Sequence, residues 1–347
     1  MEKLWPVMGA WSEARQPFVL GTLVAAEGST PREVGAVLIA YGAGEAVRFH
    51  GGVSSGCVEN ALFARVPAVL AHGRAELHDF GPEEVTPWAS GLTCGGSIRV
   101  RLEPWLAFSD DPVVREIASV WAEVMATDDR AVLLSRGDEH LAMLPGGSVL
   151  GDRKRWPAEV LSEARRVLEH PKERSRLWGE GAEAVFLRAV GGRPRLFLVG
   201  AVEVAVELAR MAAGLPVRVV VVDPRGPYLA PERFAGSRAE RVEAWPADYF
   251  DKVEIAPTDA VVVLAHDEKI DDPALLVALR SSARFVGALG SEVSQERRRE
   301  RLRAAGLSAG ELARLRGPVG LWAGGRDAAE IALSILAAWQ RSSEEEA

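Results

Sequence analysis

The sequence predicts an α/β protein, a small α+β amino-terminal domain followed by a Rossmann-like doubly wound parallel-sheet domain. Three observations carry this. Short β-type runs broken by glycine and proline fill Phe18 to Glu103. Strand-like and helix-like stretches alternate after Gly191-Gly192-Arg193-Pro194. The run VRVVVVD that ends at Asp223 lacks polar alternation, as a strand covered on both faces requires.

The elements follow in order. FVLGTLVAAEG, GAVLIAY and SIRVRLEP read as strands, with a helix from about Cys57 to Ala71 between the second and third. Next come a helical run, PVVREIASVWAEVMA, the short strands AVLLS and HLAML, a second helix, PAEVLSEARRVLEH, and the strand AVFLRAV. The Gly-Gly-Arg-Pro boundary then opens the second large domain. There RLFLVG is a buried strand, VEVAVELARMAAG a helix closed by Gly214, and VRVVVVD, DAVVVLAHD, RFVGALGS and PVGLWAG continue the strand series. SQERRRERLRAAG, charged at helical spacing, reads as a solvated face. The expected division is 1–105 for the α+β domain, 106–192 for a connecting α/β layer, 193–341 for the Rossmann-like domain and 342–347 for an acidic tail.

Composition narrows the function. A chain of 347 residues suits two or three domains at roughly 100 to 200 residues each. With 48% hydrophobic and 26% charged residues, disorder and fibrous repeats are excluded. A formal net charge of −8 and the absence of a long basic tract speak against a nucleic-acid partner. No run of ~18 apolar residues marks an integral membrane segment, and the first residues lack a signal-peptide pattern, so a cytoplasmic location is expected. Cys57 and Cys94 are too few for a zinc cage or a disulfide framework and are weighed as single thiols.

Several glycine-rich segments invite ligands. Gly51-Gly52-Val53-Ser54-Ser55-Gly56-Cys57 runs into a helix, so its amides and the helix N-terminus can converge on one anion, with Cys57 near the positive end. Packing of a small buried thiol is the plainer reading. Gly91-Leu92-Thr93-Cys94-Gly95-Gly96 flanks a second cysteine with glycines that let a flat ligand approach the backbone, or it is a turn with an incidental thiol. Ser29, Thr30 and Arg32, between two strands, suit an oxyanion or only a turn. In the second domain Gly200 ends the first strand and Asp223 the second, close to the ~20-residue spacing of a ribose-binding acid. Val202 and Glu203 interrupt the G-x-G-x-x-G pattern, however, so NAD(P) binding is doubtful. His266, Asp267, Gly290 and Ser291 fall at the carboxyl edge of the sheet, where ligands of open α/β sheets lie.

Together these segments resemble a known family. Gly28-Ser29-Thr30-Pro31-Arg32, Ser55-Gly56-Cys57-Val58-Glu59 and Gly91-Leu92-Thr93-Cys94-Gly95-Gly96 are similar to the amino-terminal signature of the XdhC/CoxI family, accessory proteins of molybdenum hydroxylases such as xanthine dehydrogenase and carbon monoxide dehydrogenase. Val222-Asp223-Pro224-Arg225, Ala265-His266-Asp267, Gly287-Ala288-Leu289-Gly290-Ser291 and Asp327-Ala328-Ala329-Glu330 resemble that family's Rossmann domain. The resemblance implies a chaperone rather than a catalyst. It would bind the molybdenum cofactor (molybdopterin) transiently, support its sulfuration through a cysteine desulfurase, and hand it to an apo molybdenum hydroxylase. Cys94 is then the expected metal-proximal thiol and Cys57 the second, with Gly56, Gly95, Gly96, Ser29, Thr30 and Arg32 around the cofactor. Gly200, Asp223, Arg225, His266, Asp267, Gly290 and Ser291 make the second set. The chain departs from the family at Val202-Glu203, Trp322-Ala323 and Ser55. Two other readings stay open: an NAD(P)-dependent oxidoreductase, and a docking scaffold. A homodimer is the expected assembly, two-fold dimers being the commonest.

Overall fold

The computed structural model describes residues 4–81, 92, 95–127, 129–170, 175–322 and 327–344. The chain forms two compact units, Met1–Gly192 and Arg193–Ala347.

The first unit opens with helix α1 (Trp5–Glu13), strands β1 (Val19–Glu27), β2 (Val37–Tyr41) and β3 (Arg48–Gly51), helix α2 (Glu59–His72), and strands β4 (Glu76–Phe80) and β5 (Ser97–Pro104). These strands form an antiparallel sheet in the order β3-β2-β1-β5-β4. One face packs Val19, Leu38, Val100 and Leu102 against Leu62, Val66 and Val69 of α2. The unit continues through α3 (Pro112–Thr127), β6 (Ala131–Arg136), β7 (Glu139–Met143), β8 (Val149–Leu150), α4 (Ala158–Glu169), β9 (Arg176–Trp178) and β10 (Val185–Val190). Its second antiparallel sheet runs β8-β7-β6-β10-β9. Helix α4 covers one face of that sheet through Val160, Ala164 and Val167. Leu20 and Ile39 of the first sheet share a cluster with Leu133 and Ala142 of the second and with Ile117 and Trp121 of α3. The two sheets therefore have one core in common.

The second unit holds β11 (Arg195–Val199), α5 (Glu203–Ala212), β12 (Arg218–Asp223), β13 (Glu240–Glu243), α6 (Pro246–Phe250), β14 (Ala260–Val263), α7 (Glu268–Arg280), β15 (Phe285–Ala288), α8 (Glu292–Ala304), α9 (Ala309–Ala313), β16 (Leu315–Arg316) and α10 (Ala328–Glu344). All its strand pairs are parallel, in the order β13-β12-β11-β14-β15-β16 of a Rossmann sheet. The unbroken valines are explained by alternation. Leu198, Val221 and Val262 face α5 and α10, while Val199, Val220, Val222 and Val263 face the side of α7. Each face is covered, so neither set of side chains can be polar.

Two expectations need correction. PVGLWAG is not a strand among its described residues: the last strand is Leu315–Arg316, and Pro318, which has no N–H to give a ladder, follows at once. The segment SQERRRERLRAAG is not wholly solvated either. Gln295, Arg298 and Leu302, on one stripe of α8, are buried. Among the described residues no helix is long and apolar enough to cross a membrane.

Candidate functional site

In the first unit the strand register assembles one end of the site. Glu27, the last residue of β1, pairs with Ser97, the first of β5, so Gly28–Arg32 lies beside Gly95-Gly96. The backbones nearly touch. A Cβ on Gly96 would stand 2.3 Å from the carbonyl oxygen of Ser29 and 2.7 Å from that of Glu27, so only glycine fits. Ser29 and Arg32 are exposed, and Thr30 donates its hydroxyl to the Arg32 carbonyl at 3.2 Å. Cys94 lies outside the described residues, as do Gly91 and Thr93. Their neighbour Leu92 is buried in the cluster beneath α2, and Cys57, half-buried, packs against the same cluster. Gly56 and Gly95 both have positive φ, and open space lies where a side chain would stand. Bare backbone beside Cys57 and after Cys94 is what a flat ligand approaching a sulfur needs.

The reading of Gly51–Cys57 as an anion cradle does not survive in its simple form, because the anion is already there and belongs to the chain. Glu59 Oε1 accepts the amides of Val53 at 3.1 Å and Ser54 at 2.9 Å, and Oε2 accepts the amide of Gly56 at 3.0 Å and the Ser54 hydroxyl. Ser54 Oγ in turn accepts the amides of Cys57 at 3.0 Å and Val58 at 3.3 Å. Five amides that looked free are satisfied internally. Burial pushes the Glu59 carboxyl up, but hydrogen bonds from Ser54 and the loop amides more than reverse it, and its pKa lies below the ordinary value. The sequence reasoning missed Glu59 and Ser54. The available signal was an acid in the first turn of a helix, where amides and helix dipole favour it.

In the second unit the carboxyl edge gathers its expected residues in part. Gly200, at φ +98, is pressed against Ala265, whose nitrogen would lie 2.6 Å from a Cβ there. His266, also at positive φ, has its ring 3.7 Å from where a Cβ on Gly290 would stand. Asp267 caps α7 by accepting the Lys269 amide, and Ser291 caps α8 by accepting the Ser294 amide. Asp223 is fully buried and fully engaged. Oδ2 accepts the Ala201 amide at 2.7 Å and the Arg225 guanidinium at 2.8 Å, while Oδ1 accepts the Arg225 amide and Nε. Burial would raise Asp223, yet Arg225 and these amides hold it below the usual carboxylate range. Arg225 lies 4.0 Å over the Tyr228 ring. The carboxylate expected to receive a ribose thus has its acceptor positions taken.

Behind this edge lies a buried network that the sequence did not disclose. Arg298 donates to Asp271 at 3.1 Å, to Gln295 Oε1 at 2.8 Å and to the Leu289 carbonyl at 3.2 Å. Gln295 donates to the Ala288 carbonyl, and Asp271 accepts the Ala265 amide. The network ties the loop after β14 to the loop after β15. Burial pushes Asp271 up to about 6, and burial together with the nearby Arg298 cation lowers His266. Among the described residues no cluster of three or more His, Cys, Asp or Glu could hold a metal ion.

Comparison with known proteins agrees with both halves. The chain is 26% identical over 344 residues to a Bacillus subtilis protein named as a probable subunit of xanthine dehydrogenase, covering 95% of this chain and 94% of that one. It is 27% identical over 323 residues to the molybdenum cofactor insertion chaperone PaoD of Escherichia coli, covering 92% and 81%. A Bacillus halodurans crystal structure described as a xanthine dehydrogenase superposes with a TM-score of 0.76 at 22% identity over 99% of this chain and 96% of that one, which shows the shared fold. Residues 11–81 match the XdhC and CoxI family and residues 196–338 the XdhC Rossmann domain. With both signatures in order on one chain, and the Rossmann strand order and the amino-terminal glycine loops in place, this protein belongs to the XdhC and CoxI family.

Proposed function

We propose that this chain is an accessory protein of molybdenum hydroxylases that binds the molybdenum cofactor transiently in its first unit and passes it to the apo-enzyme. The observation that carries the reading is the meeting of Gly28–Arg32 with Gly95-Gly96, a contact that admits no side chain at Gly96 and flanks the segment of Cys94. End-to-end similarity to a cofactor insertion chaperone supports it. A molybdenum-bearing pterin dithiolene presents a soft metal, a flat ring and a phosphate. Cys57 with the bare backbone of Gly56 fits the first two, and Cys94 with Gly95 is the matching pair. The 51–58 amides do not serve the phosphate, since Glu59 occupies them. Ser29 and the exposed Arg32 are the donors left for that end.

In this reading the protein works in the cytoplasm as a homodimer, with a cysteine desulfurase supplying sulfur. Co-expression in molybdate-supplemented cells, followed by fluorescence of the oxidised pterin in the purified protein, tests it. Wild type should retain pterin, and Cys94→Ala should lose about tenfold or more. Absence of pterin from wild type overturns the cofactor reading; equal retention by Cys94→Ala overturns the role of that thiol.

A further inference from the structure

A cavity of about 540 Å³ opens in the first unit where β1 begins and β5 ends, the opposite end of this strand pair from the glycine loops. Its lining includes Glu103 and His140, whose side chains are each only 7% exposed. Glu103 Oε2 accepts the Arg101 guanidinium at 2.7 Å, whereas Oε1 has no hydrogen-bond donor among the described residues. A buried carboxylate oxygen without a donor is costly unless something entering the cavity supplies one.

The remaining walls favour one sign of charge. Asp110, Asp111 and Asp138 line the cavity from exposed positions, and no lysine or arginine lines it among the described residues. Arg101 and Arg188 offset Glu103 without lining the cavity. Burial lowers the pKa of His140, so at neutral pH this ring adds no positive charge. The last turn of α2, ending at Gly73, contributes the negative end of a helix dipole. Phe18 and Trp105, stacked at 5.9 Å between centroids, supply an aromatic surface with Phe108. Rings of this kind attract cations and also cover alkyl chains.

The geometry points to a binding site for an organic cation, an alkyl guanidinium or ammonium group whose N–H donors reach Glu103 Oε1 and the surrounding carboxylates. The source is a free amine or an arginine or lysine side chain of another protein.

The test titrates the full chain with butylguanidinium chloride at constant chloride, following backbone amide resonances of Gly73, Asp138 and His140. Saturable shifts are expected, weakened about tenfold in Glu103→Gln and about threefold in Asp110→Asn. If Glu103→Gln does not fold, the exposed Asp110 position carries the comparison. Equal binding of neutral butylurea, shifts reproduced by sodium alone, or no weakening in Asp110→Asn overturns the proposal. Tighter binding of N-acetylarginine amide than of butylguanidinium assigns the site to a protein side chain, and the reverse order to a small amine.

Discussion

Glu59 shows how one side chain can replace a ligand. A carboxylate in a loop of inward amides gains three N–H bonds and one O–H bond, and the loop that presents Cys57 is thereby ordered before any cofactor arrives. Glutamine cannot stand in, because its amide nitrogen would face donors. Glu59→Gln should therefore cost about 2 kcal/mol of stability at pH 7, measured by urea unfolding. The pH dependence has a definite sign. The folded-state pKa lies below the ordinary 4.5, so the carboxylate's contribution is complete above that value and lost as pH falls below it. The gap between wild type and Glu59→Gln should shrink on acidification below about pH 4.5 and stay constant between pH 6 and 8; a gap independent of pH in the acid range would refute this account. Gly96→Ala forces a Cβ into the Ser29 carbonyl and should destabilise by about 2 kcal/mol or more in the same assay.

At the scale of elements, α8 is the instructive case. Its sequence carries five arginines and three glutamates over Glu292–Ala304, and no hydrophobic stripe marks its inner face. Yet Gln295 and Arg298 are buried and bind the loops after β14 and β15. Two adjacent arginines should consequently behave differently. Arg298→Ala leaves Asp271 as a buried carboxylate without its counter-ion and should cost about 3 kcal/mol or more, whereas exposed Arg297→Ala should change stability by less than about 0.5 kcal/mol, both read from denaturant midpoints. The Rossmann strands were readable in advance for the opposite reason. Burial on both faces leaves no polar position in VVVV or AVVV, and a run of that kind has few alternatives. Strand β3, with every residue exposed, and the short β16 carry no such pattern and went unread.

For the whole molecule, two expectations follow from separate cores. Glu59 belongs to the unit ending at Gly192 and Arg298 to the unit beginning at Arg193. The stability losses of Glu59→Gln and Arg298→Ala should add within about 0.5 kcal/mol in the double variant; a larger coupling would show that the two units unfold as one cooperative body. The carboxyl edge of the Rossmann sheet lacks both the second glycine and a free ribose acceptor, since Val202 and Glu203 follow Ala201 and Asp223 is committed to Ala201 and Arg225. Calorimetric titration of the full chain with NADH or NADPH should show no binding tighter than ~100 μM, and tighter binding would restore a dinucleotide role.

What the sequence by itself determined is the fold class, the glycine positions that tolerate no side chain, and the family signature, because buried strands and tight backbone contacts restrict which residue types can stand at a given place. Tertiary structure alone decided which polar groups are spoken for. Whether the amides of 53–58 await an anion, whether Asp223 can receive a ribose, and whether Arg298 faces water depend on partners up to dozens of residues away. Hydrogen bonding is a property of pairs brought together by folding, and local pattern records only one member of each pair.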